Sequence, residues 1–282
     1  MGTVFVTGAA RGIGRATVAR LAAGGWDVVA GVRRAEDAEA VTALDPARIR
    51  AVTVELTDPS AIAGLDSVLP ARLDAIVNNA GIVVGGPVEA VPAAELRRQL
   101  EVNVVAQAAV TQAVLGRLRA SRGRIVFVSS LSGRISTPMT GAYNASKFAL
   151  EGMADALRME LAPWGIKVVL VEPAQTDTDM WRQAQDELDA TVAALSDEYR
   201  QLYAAHIEGF RKSIPRSQKM ATSVEGAAAT IERALTARRP RARYVVGRSA
   251  QIQAAMARLT PTPVLDLVLR VGTGVPWRAR RS

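Results

Sequence analysis

The sequence predicts a single α/β domain: a doubly wound parallel sheet of about seven strands with helices on both faces. Three observations predict it. Short runs dominated by Val and Ile alternate with helix-compatible runs, as expected for parallel strands covered on both sides. The first apolar run leads directly into a glycine-rich turn and then a helix. No repeat and no linker divides the 282 residues, whose apolar content suffices for one large core.

Val4-Phe5-Val6 reads as the first strand and Thr7-Gly-Ala-Ala-Arg-Gly-Ile-Gly14 as its turn. Arg15 to Ala23 has helical spacing, and Gly24-Gly25 stops it. Glycines in such a turn let the backbone approach a pyrophosphate closely, and the helix N-terminus offers free N–H groups. The spacing Gly8, Gly12, Gly14 departs from the commoner G-x-G-x-x-G. Val28 to Val32 is the second strand, and its end selects the cofactor. An acid there holds the ribose 2′-hydroxyl of NAD, whereas arginine suits the 2′-phosphate of NADP. Val32-Arg33-Arg34 has no acid before Glu36, and Arg11 lies inside the turn, so NADP(H) is expected in preference to NAD(H).

Arg50 to Glu55 is the third strand, and Asp58-Pro59 starts a helix that runs to Leu69. Leu73 to Asn78 is a buried strand ending in the polar turn Asn78-Asn-Ala-Gly81. Ala93 to Arg119 reads as one long helix, apolar on nearly every side between Val102 and Leu115, which implies cover on both faces. Arg124 to Val128 is a strand that runs into Ser129-Ser130. A helix from Gly141 to Trp164 follows, then a sixth strand from Lys167 to Val171 and a seventh at Tyr244-Val-Val246.

Tyr143 and Lys147 lie four residues apart and so share one face of their helix. Tyrosine titrates near ~10, so proton transfer at neutral pH calls for a cation that favours the phenolate. Ser130 can bring a hydroxyl to the same point. Alone, the pair is an ordinary helix face, and the rest of the chain gives it meaning.

Taken together, Thr7-Gly8-x-x-x-Gly12-x-Gly14, Asn78-Asn-Ala-Gly81, Asn103, Ser130 and Tyr143-x-x-x-Lys147 resemble the short-chain dehydrogenase/reductase family. The resemblance covers about residues 3–247, with the motifs in the family's order and spacing. Glu172-Pro173 and the tail beyond the seventh strand are similar to its steroid- and retinol-dehydrogenase-like branch. It implies a Rossmann-type fold and hydride transfer between nicotinamide and a carbonyl or secondary alcohol. Tyr143 would exchange the proton with the substrate oxygen, and Ser130 would orient that oxygen. Lys147 would hold the nicotinamide ribose and lower the tyrosine pKa, and Asn103 would anchor a water joining Lys147 to solvent. Gly8, Arg11, Ile13 and Gly14 map onto the pyrophosphate turn and Arg33 onto the 2′-phosphate site. Glu55 and Leu56 fall where the family places an Asp beside the adenine, and Asn79, Ala80 and Gly81 on the adenine ribose side. Pro173, Thr176 and Thr178 belong to the segment that holds the carboxamide. Two departures stand out: Ala174 replaces a glycine and Glu55 an aspartate.

Residues 1–247 are thus expected to form the dinucleotide-binding catalytic domain, and 248–282 a helical extension. From about 175 to 222 the strand–helix rhythm is lost, in an insertion too long for an ordinary loop, which in this family covers the substrate. Tyr199, Leu202, Tyr203, His206 and Phe210 fit one helical face there, read first as packing the lid onto the body. Met139, Met180 and Trp181 are the candidate pocket residues, and they imply a bulky apolar alcohol or ketone. The tail has a helical stretch (Ile252–Leu259), a Pro261-x-Pro263 break and the apolar run Val264–Val271, too short to span a bilayer.

Composition narrows the alternatives. There is no cysteine and a single histidine, His206, so neither a thiolate nor a multi-histidine metal site is expected. The formal charge of +8 comes from dispersed arginines with few aromatics among them, so no nucleic-acid partner is expected. No secretory segment is recognisable, and a cytoplasmic protein is expected. No membrane partner is expected: the run Val264–Val271 reads first as docking on its own domain or a neighbour, and a peripheral contact with help from Trp277 and the terminal Arg278, Arg280 and Arg281 is the minor alternative. The resemblance implies as partners a small-molecule substrate and a second copy, in a homodimer or homotetramer built on the long helix. The rival from another class is a non-catalytic dinucleotide sensor or scaffold, whose signature would be a lost Ser, Tyr or Lys.

Overall fold

The computed structural model describes residues 1–276, apart from the side chain of Met180; Trp277 and the terminal arginines lie outside the described residues. In the first half, β1 (Thr3–Thr7), α1 (Gly12–Ala23), β2 (Asp27–Val32), α2 (Ala35–Thr42), β3 (Ile49–Thr53), α3 (Pro59–Val68) and β4 (Ala75–Asn78) alternate strand and helix. Then α4 (Ala93–Leu100), a π-turn (Glu101–Val105), α5 (Ala106–Ser121), β5 (Arg124–Val128), α6 (Gly141–Glu160) and β6 (Lys167–Pro173) extend the pattern. All seven strands, β7 (Arg243–Val246) included, form one parallel sheet in the order β3-β2-β1-β4-β5-β6-β7. This is the expected doubly wound fold. The order reverses at β1, which pairs with both β2 and β4, and ligands of such sheets bind in the crevice beyond the strand ends at that point.

Alternation along each strand builds two cores. Val4 and Val6 face α1 and α11 (Val224–Thr236), with Val18, Leu21, Ile231 and Leu235. Phe5 points the other way, with Ile125, Phe127, Val168 and Leu170, onto α3, α5 and α6. Burying each such side chain contributes roughly 1.5–3 kcal/mol. Period-two alternation therefore fixes register, because a one-residue slip would exchange the two cores.

Several boundaries differ from those read in the sequence. Helix α1 starts at Gly12, so the last glycines of the turn form its first turn. Strand β3 ends at Thr53, short of Glu55, while β6 continues to Pro173. The long helix is interrupted at Glu101–Val105 by a π-turn. In the insertion stand α7 (Asp179–Arg182), α8 (Ala184–Ala194), α9 (Asp197–Leu202) and α10 (Ala204–Lys219). They close over Met139 through Leu188, Ile207 and Ile214, with Tyr203 and Phe210 against them. The chain breaks between α9 and α10 at Tyr203, so the five residues do not share one face, and Leu202 is exposed. The extension consists of α12 (Arg248–Leu259) and α13 (Thr262–Thr273). Among the described residues no helix is long and apolar enough to cross a membrane.

Candidate active site

The crevice at the switch point is built around the turn between β1 and α1. Gly8 (φ 64°) and Gly12 (φ 55°) adopt left-handed conformations that glycine tolerates. A Cβ on Gly14 would lie 2.1 Å from the Gly8 carbonyl oxygen, so only glycine fits. The N-cap residue Arg11 makes no side-chain cap bond, which leaves the first N–H groups of α1, Ile13 and Gly14 among them, without a side-chain partner. Asn79, just after β4, donates through Nδ2 to the carbonyls of Thr7 (3.1 Å) and Gly8 (3.0 Å), and the Thr7 hydroxyl accepts from the backbone of Asn79 and Ala80. An uncapped helix end beside a bare turn fits a pyrophosphate, so the dinucleotide expected from the sequence fits these residues.

At the end of β2, Arg34 is engaged by Asp37 and Glu36. Arg33 and Arg11 are exposed, have no ion pair among the described residues, and both act on Asp37, whose carboxyl is held below its usual range chiefly by Arg34. Arg11 and Arg33 thus stand near Asp37 beyond the end of β2, each without an ion pair among the described residues. Glu55 is exposed and accepts from Thr57, while the Leu56 side chain is in the core.

Strand β6 delivers Pro173 and the segment beyond it. Ala174 does not have a positive φ, so its substitution for glycine brings no backbone strain. Thr176 is buried and bridges to Thr222, and Thr178 caps α7 while its methyl faces Gly12 at the glycine turn. Trp181 is half-buried with its indole Nε1 unpartnered, and Met139 is buried beneath the lid in a left-handed conformation (φ 67°). The lid is fastened across by Tyr203, whose hydroxyl donates to Glu89 at 2.6 Å. His206 stacks obliquely on Tyr203, and burial lowers its pKa, with Arg270 adding to the effect.

Ser130, Tyr143 and Lys147 converge between β5 and α6. Burial pushes the Tyr143 phenol up, and a hydrogen bond with the Ser130 hydroxyl pulls it partly back. Lys147 is buried, and its Nζ donates to the Val128 carbonyl at 2.9 Å and lies 5.7 Å from the centre of the Tyr143 ring. Burial lowers its pKa to about 8 against an opposing effect of Glu151. One of the three ammonium donors goes to a strand carbonyl, which leaves two for a ligand, and desolvation acts on both groups.

Asn103 sits in the π-turn, fully buried. Its Oδ1 accepts from Ile82 N–H (2.9 Å), and Nδ2 donates to the Ile82 carbonyl (3.0 Å) and the Ser146 hydroxyl (3.0 Å). Both amide donors are thereby used. A water at this position would rest on the main chain, where the π-turn interrupts the regular helical ladder.

Sequence reasoning missed two groups. Gln99, Gln107 and Thr111 join Asn103 in a buried row at every fourth residue and hold the segment after β4. Gln99 bonds Val84 and Ile82, Gln107 the Ala80 carbonyl, and Thr111 the Asn78 amide. The period-four polar row was visible in the sequence. The second group is an ion network under α6. Fully buried Glu172 meets Arg134 at 2.6 Å and Arg243 at 3.4 Å, and Arg243 also grips Glu151 (2.9 Å) and Asp155 (2.6 Å). It fastens the helix one turn past Lys147 to the sheet.

The family model described as short chain dehydrogenase matches residues 2–189. An NADPH-dependent 3-dehydrocapnine reductase of Ornithobacterium rhinotracheale is 34% identical over 93% of this chain and 94% of its own length. Retinol dehydrogenase 5 of Mus musculus is 32% identical over 94% of this chain and 87% of its own. A short-chain dehydrogenase from Streptomyces avermitilis superposes with a TM-score of 0.76 at 27% identity, over 98% of both chains.

Proposed function

The chain belongs to the short-chain dehydrogenase family, oxidoreductases that use a nicotinamide cofactor, and on that premise we propose an NADP(H)-dependent enzyme interconverting a bulky, largely apolar ketone and its secondary alcohol. The observation that carries the mechanism is the convergence of Ser130, at the end of β5, on the Tyr143 phenol, with buried Lys147 5.7 Å from the Tyr143 ring. When bound, the cofactor supplies or takes the hydride at the carbonyl carbon. Tyr143 gives its proton to the carbonyl oxygen in reduction and takes it from the hydroxyl in oxidation. Ser130 holds that oxygen and stabilises the negative charge developing on it. Lys147 donates to the nicotinamide ribose and relays the proton between Tyr143 and solvent past the π-turn that carries Asn103, inward in reduction and outward in oxidation. The glycine turn and the N-terminus of α1 hold the pyrophosphate; Asn79, Ala80 and Gly81 line the adenine ribose, and Thr176 and Thr178 hold the carboxamide.

NADP(H) is favoured by free Arg11 and Arg33 and by the absence of an acid at the end of β2, in keeping with the NADPH dependence named for the dehydrocapnine reductase. An apolar substrate is favoured by Met139 beneath the lid and by Trp181, with Met180 beside Trp181 in sequence; a relative named for retinol fits that class. In this assignment residues 1–247 hold cofactor and chemistry, 175–222 cover the substrate, and 248–282 form an extension. The enzyme is cytoplasmic, and the uncovered face of α5 serves a homodimer or homotetramer.

A panel of ketones and alcohols, followed by nicotinamide absorbance with NADPH and NADH in turn, tests this reading. Turnover of apolar ketones with NADPH is expected. Equal or better efficiency with NADH would refute the cofactor assignment, and activity confined to small polyols would refute the substrate class.

A further inference from the structure

The two helices of the extension pack inward through small or single apolar side chains, Ala250 and Ala254 of α12 and Leu269 of α13. Their outward faces are apolar too. On α12, Ile252, Met256 and Leu259 are 61%, 53% and 82% exposed, and they fall on one side of the helix. On α13, Val264, Leu267, Val268 and Val271 repeat at helical spacing and are between 41% and 66% exposed. The acid of this helix, Asp266, falls off that row. Exposed apolar rows of this kind mark an interaction site on each helix.

Beside the α12 row opens a cleft of about 780 Å³ between α12, β7 and the end of α11. Arg233, Arg239, Arg241 and Arg258 line it, none paired with a carboxylate among the described residues. Deeper in the cleft, Arg134 and Arg243 are held by Glu172 and Glu151. Leu259 belongs to both features, lining the cleft and projecting from the row. An apolar stripe flanked by unneutralised arginines suits a helix lying in the plane of an anionic bilayer, with side chains among the acyl chains and guanidinium groups at the phosphates.

We propose that α12 and α13, together with the arginine cleft, dock this protein onto an anionic lipid surface as a peripheral contact. Charge decides against a second copy as the occupant. A two-fold contact sets a patch against itself, and it would bring two unneutralised arginine clusters together on chains of net charge +8. An anionic surface neutralises the same cluster. The lid helix α10 packs on α13, so the surface that meets lipid is continuous with the elements that close over Met139.

Flotation of the full chain with vesicles of phosphatidylcholine alone, or mixed with phosphatidylglycerol, tests this. The protein is expected to float with the phosphatidylglycerol vesicles at low salt, at least about tenfold less with phosphatidylcholine alone, and to be released by salt. The double variant Arg239→Glu/Arg241→Glu alters exposed charges only, and its partitioning is expected to fall by about 25-fold or more, at roughly fivefold per arginine. Leu267→Asp/Val271→Asp is expected to abolish flotation while leaving turnover of a water-soluble ketone unchanged. No flotation with phosphatidylglycerol, or wild-type flotation of the arginine variant, would overturn the proposal. So would a drop in oligomeric mass of the Leu267→Asp/Val271→Asp variant in light scattering without vesicles, because the face would then belong to a second copy.

Discussion

The Asn103 amide donates to the Ser146 hydroxyl at 3.0 Å, and that hydroxyl donates to the Tyr143 carbonyl at 2.7 Å. A π-turn in one helix is thereby tied to the first turn of the helix that carries Tyr143 and Lys147. Ser146→Ala would leave a buried amide donor unpaired and is expected to cost about 1–3 kcal/mol of stability. As a positioning change it should lower kcat more than it raises KM, with Ser146→Thr restoring most of the loss. Denaturant unfolding and steady-state kinetics measure the two effects.

The pH dependence follows from Lys147. Its pKa in the fold is about 8, below the ordinary 10.5, because burial disfavours the ammonium. In the free enzyme the ammonium that meets the ribose is therefore lost as pH rises through about 8. The kcat/KM for the cofactor reports the free enzyme and is expected to fall above that pH by up to about tenfold per pH unit. The sign for stability is opposite. The fold binds fewer protons than the unfolded chain between about 8 and 10.5, so this group's contribution to stability rises with pH across that window.

Arg33→Ala should remove a charge-assisted contact to the 2′-phosphate and raise KM for NADPH by about 10–100-fold. KM for NADH should hardly change, since NADH lacks that phosphate. Arg11→Ala is expected to act in the same direction. Initial-rate kinetics with both cofactors distinguish a lost phosphate contact from a general disturbance of the turn.

Gly14→Ala places a methyl group 2.1 Å from the Gly8 carbonyl, a contact the turn relieves only by moving. We expect a loss of stability of about 1–3 kcal/mol. Weakened binding of NADPH and NADH alike should accompany it, and the thermal shift induced by each cofactor measures this.

How much of this was legible in the sequence depends on the range of the signal. Strand alternation at Val4-Phe5-Val6 and the glycine turn are local patterns, and both positioned the crevice correctly. The helices α2 and α11 carry alanine-rich stretches, and their place is decided by packing on the sheet and on α1. The π-turn could not be read from periodicity, because one extra residue in a turn is stabilised by bonds from Gln99 and Asn103 to the distant Ile82 and Val84. The ion network escaped because Arg134, Glu151, Glu172 and Arg243 meet only in the fold. Spacing placed Tyr143 and Lys147 on one face, but the carbonyl that Lys147 chooses depends on where β5 ends.

Tyr143→Phe tests the central claim most directly. The substitution removes the hydroxyl that Ser130 faces and keeps the ring that Lys147 faces. Single-turnover oxidation of bound NADPH by an apolar ketone is expected to slow by about 10²–10⁴-fold, with cofactor affinity unchanged. Undiminished turnover in this variant would contradict the account.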